Sequence, residues 1–188
     1  MHAYFVLPQP IAGKVSSPIP LDVRAVQRGD KAAFGRLFER YAAMVHGVLM
    51  AQVPQADAED LMQEVFITAM QRVETLTTLE AFGPWLAQIA RNRAVDFLRS
   101  RRQFDELPLD LPVADPRRAE ANQILRLIRT LPEAYREPLV LRLAEGMSGP
   151  EIAQQVGMTA DSVRVNLHRG MKLLREMMER SPATQEAP

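Results

Sequence analysis

The sequence predicts an all-α protein of two small helical domains joined by a flexible linker, the second domain containing a helix-turn-helix. Three observations carry this expectation. Apolar residues recur at three- and four-residue steps along most of the chain, and no stretch alternates as a half-buried strand does. An acidic segment with three prolines and no helical repeat, QFDELPLDLPVADP, breaks that periodicity after residue 102. Beyond it, a short helical segment, a glycine and a longer helical segment follow one another between residues 149 and 180.

The elements can be justified in order. Residues 1–20 lack a basic start and carry prolines at 8, 10, 18 and 20, so they read as a flexible leader and not as a signal peptide. The segment LDVRAVQRGD reads as a short helix stopped by Gly29. Asp30 is placed to cap a long helix reaching about Val53, with Phe34, Leu37, Phe38, Tyr41 and Val45 at helical spacing. Pro54 ends it, and the next helix starts at Asp57 and runs to about Thr75. A fourth helix is expected from about Pro84 to Arg102, with its proline tolerated in the first turn. After the linker, placed at 104–117, helices are expected over 117–130, 133–145, 149–156 and 160–180, with a disordered tail at 182–188. The two domains are thus expected over 21–103 and 118–181.

Composition excludes several classes of function. The 188 residues hold 23 Lys and Arg against 23 Asp and Glu, so total charge gives no hint of a nucleic-acid partner and only its distribution can. There is no cysteine, and the three histidines (His2, His46, His168) are scattered, which leaves no thiolate chemistry and no metal spacing. No paired carboxylates, nucleophile–base set or phosphate loop stands out, so the chain is expected to be no enzyme and to use no cofactor. No apolar run is long enough to span a membrane, and the cytoplasm is the default location.

Charge is concentrated on particular helices. Between Pro84 and Arg102 there are five arginines and one acid (Asp96), a net +4 on one helix of a neutral protein. Leu86, Ile89, Ala90, Ala94 and Phe97 define its buried side, while Gln88, Arg91, Asn92, Val95, Arg99 and Arg102 lie opposite; Arg93 falls near the apolar side, where it can snorkel or make an internal pair instead of touching DNA. An arginine stripe of this kind neutralises phosphates. Phe82 and Trp85 stand at the start of the helix, where an aromatic can stack on an unpaired base; Phe82 fits a core position better, and Trp85 fits either.

In the second domain, Ser148 or Gly149 can cap the short helix, Pro150 fits its first turn, Ala153 permits close approach and Gly157 the tight turn. On the longer helix Val163, Leu167, Gly170 and Leu174 face the core. Val165, His168, Arg169 and Lys172 face away, flanked by Ser162, Arg164 and Asn166. That outer face offers cations to phosphates and polar groups to base edges in a major groove. In DAEDLMQEVFITAMQ, Leu61, Met62, Val65, Ala69 and Val73 share one face, and Asp60, Gln63, Glu64, Ile67 and Gln71 the other. First-turn acids such as Asp57 serve the helix dipole, and an exposed Ile67 among acids and amides suits a protein-docking face.

On these residues the chain resembles an extracytoplasmic-function (ECF) sigma factor of the sigma-70 family, over about residues 21–180. DAEDLMQEVF resembles the helix that docks on the clamp helices of the polymerase β′ subunit, WLAQIARNRAVDFLR the part that captures and melts the −10 element, and LPEAYREPLVLRLAEGMSGPEIAQQVGMTADSVRVNLHRG the domain that reads the −35 element. The resemblance implies a factor that binds core RNA polymerase (β′ and β subunits) and promoter DNA, duplex and single-stranded. It implies core docking through Asp57, Asp60, Gln63, Glu64 and Ile67. It implies −10 binding and melting through the loop at 77–83, with Thr77, Thr78 and Phe82, and through Trp85, Arg91, Asn92 and Arg99. It implies −35 binding through Ser162, Arg164, Val165, Asn166, His168, Arg169 and Lys172. Many members are held by an anti-sigma partner, and nothing in these residues identifies one. Val165, Asn166 and His168 depart from common residues of the pattern, as do Gly170, Pro138 within a predicted helix and the Gly149-Pro150 pair. A helix-turn-helix regulator that binds operator DNA without polymerase is the alternative; it accounts for residues 148–180 but not for the basic helix.

Overall fold

The computed structural model describes residues 18–103 and 116–180, and among them the chain forms eight α-helices and two single 3-10 turns. The expected leader over residues 1–17, most of the linker and the tail lie outside the described residues. Boundaries shift at the start of each module: residues 19 and 20 are already helical, with Pro20 in a first turn where its missing N–H is not needed, and residues 116 and 117 open the fifth helix instead of closing the linker.

The first module contains α1 (Ile19–Gln27), α2 (Lys31–Met50), α3 (Gln55–Arg72) and α4 (Phe82–Gln103). Gly29 ends α1 at φ +89°, and the Asp30 carboxylate accepts from the backbone N–H of Ala32 and Ala33 at 2.8 and 3.1 Å, capping α2. The buried Asp22 carboxylate of α1 receives two bonds from Arg36 of α2, at 2.9 and 2.7 Å, and Gln27 donates to the carbonyls of Val73 and Leu76. Leu37, Tyr41, Met44, Val45, Leu61, Val65, Phe66, Leu86, Ala90 and Ala94 are all buried in one core, with Phe66 seated against the rings of Phe34 and Phe38. Helix α3 starts two residues ahead of Asp57, after Pro54, which leaves that carboxylate in the first turn.

The second module contains α5 (Pro116–Thr130), α6 (Glu133–Leu143), α7 (Gly149–Val156) and α8 (Ala160–Arg180) around Ile128, Leu139, Ile152, Val156, Val163 and Leu174. Helix α6 runs through Pro138 as one element, although the ring removes one helical donor. The Ser148 side chain caps α7 and Glu151 reaches back to the Ser148 N–H at 2.8 Å, a reciprocal capping box, while Gly157 ends the helix at φ +76°. Gly170 has a packing reason: a Cβ there would lie 2.9 Å from Leu139 Cδ1 and 3.1 Å from Tyr135 Cβ, so its bare backbone is what lets α8 close on α6.

The two modules pack side by side, α6 on α2 and α7 on α4. The end of α2 is therefore enclosed on both sides, and every residue from 44 to 50 is buried. No helix among the described residues is long and apolar enough to cross a membrane.

Candidate nucleic-acid interface

Helix α4 carries its basic face on a rigid apolar base. Leu86, Ala87, Ala90 and Ala94 are fully buried, which fixes the rotation of the helix and turns Gln88, Asn92, Val95 and Arg99 to the surface. Gln88 donates to the Asn92 side-chain oxygen at 2.9 Å, and Arg99, 72% exposed, lies 3.7 Å from Asp96 one turn back. Thr77 and Thr78 are exposed in the loop ahead of the helix. Phe82 is different: it is 2% exposed, with its ring 5.3 Å from Tyr41 and 5.7 Å from Trp85. It cannot touch a base in this arrangement and acts as the floor under Trp85, which is half-buried.

The arginines of α4 are not equally free. Arg93 pairs with Glu64 of α3, as an internal pair, and Arg101 donates to Asp57 at 2.9 Å while lying 5.5 Å over the Phe97 ring. Arg91, expected on the outer face, is covered by the second module. Its Nε and Nη2 bond the two carboxylate oxygens of Glu137 at 2.9 and 2.7 Å, and Nη2 also reaches the Val156 carbonyl at 3.3 Å. The Glu137 bonds hold the Arg91 guanidinium above its ordinary pKa against the opposing effect of burial.

Helix α8 presents its outer face without such cover. Arg164, Val165, His168, Arg169 and Lys172 are exposed, Asn166 is half-buried, and Val163, Gly170 and Leu174 are buried beneath. Thr159 caps the helix by accepting from the Ser162 N–H at 3.1 Å, and its hydroxyl bonds that of Ser162 at 2.8 Å. Arg164 pairs with Asp161 of its own helix at 3.1 Å, with both side chains largely in solvent, so that pair yields readily to a phosphate.

On α3 the acidic and amide face divides. Asp60, Gln63 and Ile67 are exposed, Ile67 to 57%, with Met70 beside it at 47%, whereas Asp57 and Glu64 are engaged by Arg101 and Arg93. An apolar contact ringed by free polar groups is the composition of a docking patch.

Reading the sequence missed the residues that join the modules: His46, Gly47, Glu137 and Glu145. His46 Nδ1 lies 2.8 Å from Glu145 Oε1, both nearly enclosed, and a Cβ on Gly47 would lie 2.6 Å from Leu141 Cδ2. The one available signal was AMVHGVLMA, a helical stretch apolar all round, which demands cover on two sides.

Comparison with known proteins places both modules. The description Sigma-70 region 2 matches residues 37–104, and Sigma-70, region 4 matches residues 121–174. The chain is 30% identical to the RNA polymerase sigma factor NccH of Alcaligenes xylosoxydans xylosoxydans, over 84% of this chain and 93% of that one. It is 32% identical to the ECF RNA polymerase sigma-E factor of Haemophilus influenzae, over 84% and 91%. Among solved structures, CnrH in complex with the cytosolic domain of CnrY has the same fold, with a TM-score of 0.62, 24% identity, and coverage of 86% of this chain and 97% of that one.

Proposed function

Because the chain belongs to the extracytoplasmic-function group of the sigma-70 family, we propose a division of labour among its exposed faces, all of it performed by binding without catalysis. The chain is a sigma factor that directs promoter-specific transcription initiation by RNA polymerase. In our reading residues 21–103 form the polymerase-docking and −10 module and residues 118–181 the −35 module, working in the cytoplasm. Asp60, Gln63 and Ile67 lead the docking on core polymerase, since they are the members of that set left exposed and outside the pairs with Arg93 and Arg101.

Promoter melting follows from surface complementarity. Extruding a base costs a few kcal/mol of unstacking, and stacking on an aromatic returns about 1–3 kcal/mol per base. Trp85, backed by the buried Phe82, is the platform for that stacking, with Thr77 and Thr78 at the rim and Asn92, Arg99 and Arg91 on the strand. The outer face of α8, with Arg164, Val165, Asn166, His168, Arg169 and Lys172, enters the major groove of the −35 element, and Ser162 at the helix start lies against the backbone. An inhibitory partner of the anti-sigma kind belongs to the same reading without a defined identity.

The observation that carries this reading is the match of both sigma-70 regions, in order, to two helical modules whose exposed helices are basic. Its test is to mix the purified chain with bacterial core polymerase, follow co-elution, and map the 5′ ends of transcripts made from genomic fragments. Discrete start sites sharing −35 and −10 sequences are expected. A folded chain that neither associates with core nor initiates, yet binds duplex DNA alone, would refute it in favour of an operator-binding regulator.

A further inference from the structure

The chain holds ten methionines and no cysteine, so all of its sulfur is thioether. Met44, Met50, Met62 and Met147 lie in the core, where an unbranched, polarizable side chain fills irregular gaps. Among the described residues only Met70, at 47%, and Met178, at 40%, are exposed methionines. Met70 stands on α3 three residues past Ile67, and seven past Gln63, which puts it at nearly the same angle on the helix as that amide. Ile67 and Met70 are the two large apolar side chains that α3 leaves in solvent. The thioether therefore sits within the face given above to core polymerase.

Resting on that assignment of α3 to core docking, we propose that Met70 is a reversible oxidation site: the thioether form docks on core polymerase and the sulfoxide form does not. The oxidant is a peroxide. The sulfur lone pair attacks one peroxide oxygen, and the O–O bond breaks as the S–O bond forms. The departing hydroxide takes the proton of the transferred oxygen and leaves as water. The thioether loses two electrons, the peroxide gains them, and methionine sulfoxide reductases run the change backwards. With no thiol in the chain to react first, exposure decides which sulfur is oxidised.

The site favours a change in docking without a change in fold. Met70 is not one of the side chains packed on the core, so a sulfoxide oxygen there points into water and costs the free chain little. The same oxygen in a docked complex is costly. A surface complementary to Ile67 and Met70 is apolar where it meets them, and the residues around them, Glu59, Asp60 and Glu64, already offer acceptors. The new acceptor is then buried without a donor. Docking also covers Met70, so peroxide acts on the free chain and spares the holoenzyme already formed.

The test uses the full chain in a Met178→Leu background, which leaves Met70 as the exposed methionine among the described residues. Hydrogen peroxide is added to the free chain and quenched with catalase, and peptide mass spectrometry locates the added oxygen. Met70 is expected to gain it first, with Met44 and Met50 unmodified and the melting temperature unchanged. Affinity for core polymerase, measured by competition, should fall about tenfold relative to the untreated chain, the effect of one buried acceptor left unpaired. The two methionine sulfoxide reductases, one for each sulfur epimer, should restore it. With Met70→Leu added, the ratio of treated to untreated affinity should be close to one, whatever the starting affinity of that variant. Complete oxidation of Met70 with core affinity unchanged would overturn the switch. So would oxidation of Met44 or Met50 as fast as Met70, or an equal loss of affinity in the Met70→Leu chain. Core polymerase added before peroxide separates this failure from failure of the docking face. Slowed oxidation of Met70, together with a sulfoxide form that docks normally, sinks the switch and keeps the docking face. Unslowed oxidation in a complex that does form moves docking off α3, and the switch falls with it.

Discussion

Replacing Gly170 with alanine sets two effects of known size against each other. Glycine in a helix interior is about 1 kcal/mol worse than alanine, so propensity alone predicts a more stable protein. The structure predicts the reverse. The new methyl would lie 2.9 Å from Leu139 Cδ1, 3.1 Å from Tyr135 Cβ and 3.2 Å from Leu139 Cγ. Leu139 is fully buried, so it has no free space to rotate into, and a Cβ moves only if its backbone moves. Relief therefore requires α8 to back away from α6, an overpacking cost of about 1–3 kcal/mol. The net expectation is a loss of about 1 kcal/mol, read as a fall of about 2–4 °C in the melting temperature of a chain this size.

Gly35 supplies the internal control. It lies in α2, where an added Cβ would meet nothing within 4 Å, so Gly35→Ala should gain close to the full propensity difference, about 1 kcal/mol. Both variants are compared with wild type by urea titration followed by circular dichroism and by thermal scans. Opposite signs support the packing argument. Equal stabilisation at both sites would refute it, because it would mean that the α6–α8 contact yields without cost.

Other expectations follow from the same geometry. Arg99→Glu, at an exposed site away from the contacts between the modules, should abolish open-complex formation in permanganate footprinting while core binding by co-elution stays normal; unchanged open complexes would remove α4 from the melting surface. Asp60→Ala with Gln63→Ala should weaken core binding by about tenfold or more in a competition assay, and equal affinity would exclude that face. Arg169→Ala should lower the slope of log affinity against log salt for holoenzyme on promoter DNA by about 0.9, the share of one phosphate contact. Ser148→Ala should cost about 1 kcal/mol by removing the α7 cap. The Ser148 bonds hold the Glu151 carboxylate below its ordinary pKa, so their contribution is present above the usual carboxylate range and is lost as pH falls through the lowered value. Titration by NMR should show the Glu151 pKa rising toward normal in the Ser148 variant.

What was legible in the sequence was whatever one helix decides by itself. The Asp30 and Ser148 caps, the Gly29 and Gly157 stops, and the apolar stripes of α3, α4 and α8 depend on neighbours three or four residues away, and each falls where its spacing places it. Gly170 shows the same limit from the other side. By propensity it is a weak point, and only the position of Leu139, 31 residues away in the chain, turns it into a requirement. The contacts between the modules were illegible for that reason. Nothing local sets Glu137 or Glu145 apart, because adjacent residues do not distinguish a carboxylate in water from one facing an arginine 46 residues earlier. The apolar run before Pro54 was the exception, since a helix with no polar side needs a second cover.

The charge on α4 shows what such local counting leaves out. By sequence the helix is +4, but in the fold Arg91 faces Glu137 of α6, Arg93 faces Glu64 and Arg101 faces Asp57 of α3, so three of its cations already have partners on other helices. Two of those partners belong to the set expected to meet the polymerase. In the proposed reading, a clamp surface that attracts Asp57 and Glu64 competes with Arg101 and Arg93 for them, and each pair it breaks leaves a cation of α4 without its carboxylate. These pairs are partly exposed, with side chains 28–47% accessible, so each is worth little and exchanges readily. Weak pairing is the useful property here. A strong buried pair would hold the arginines whatever docked on α3, whereas weak ones exchange, so that in the proposed reading docking on α3 would raise the positive potential of α4.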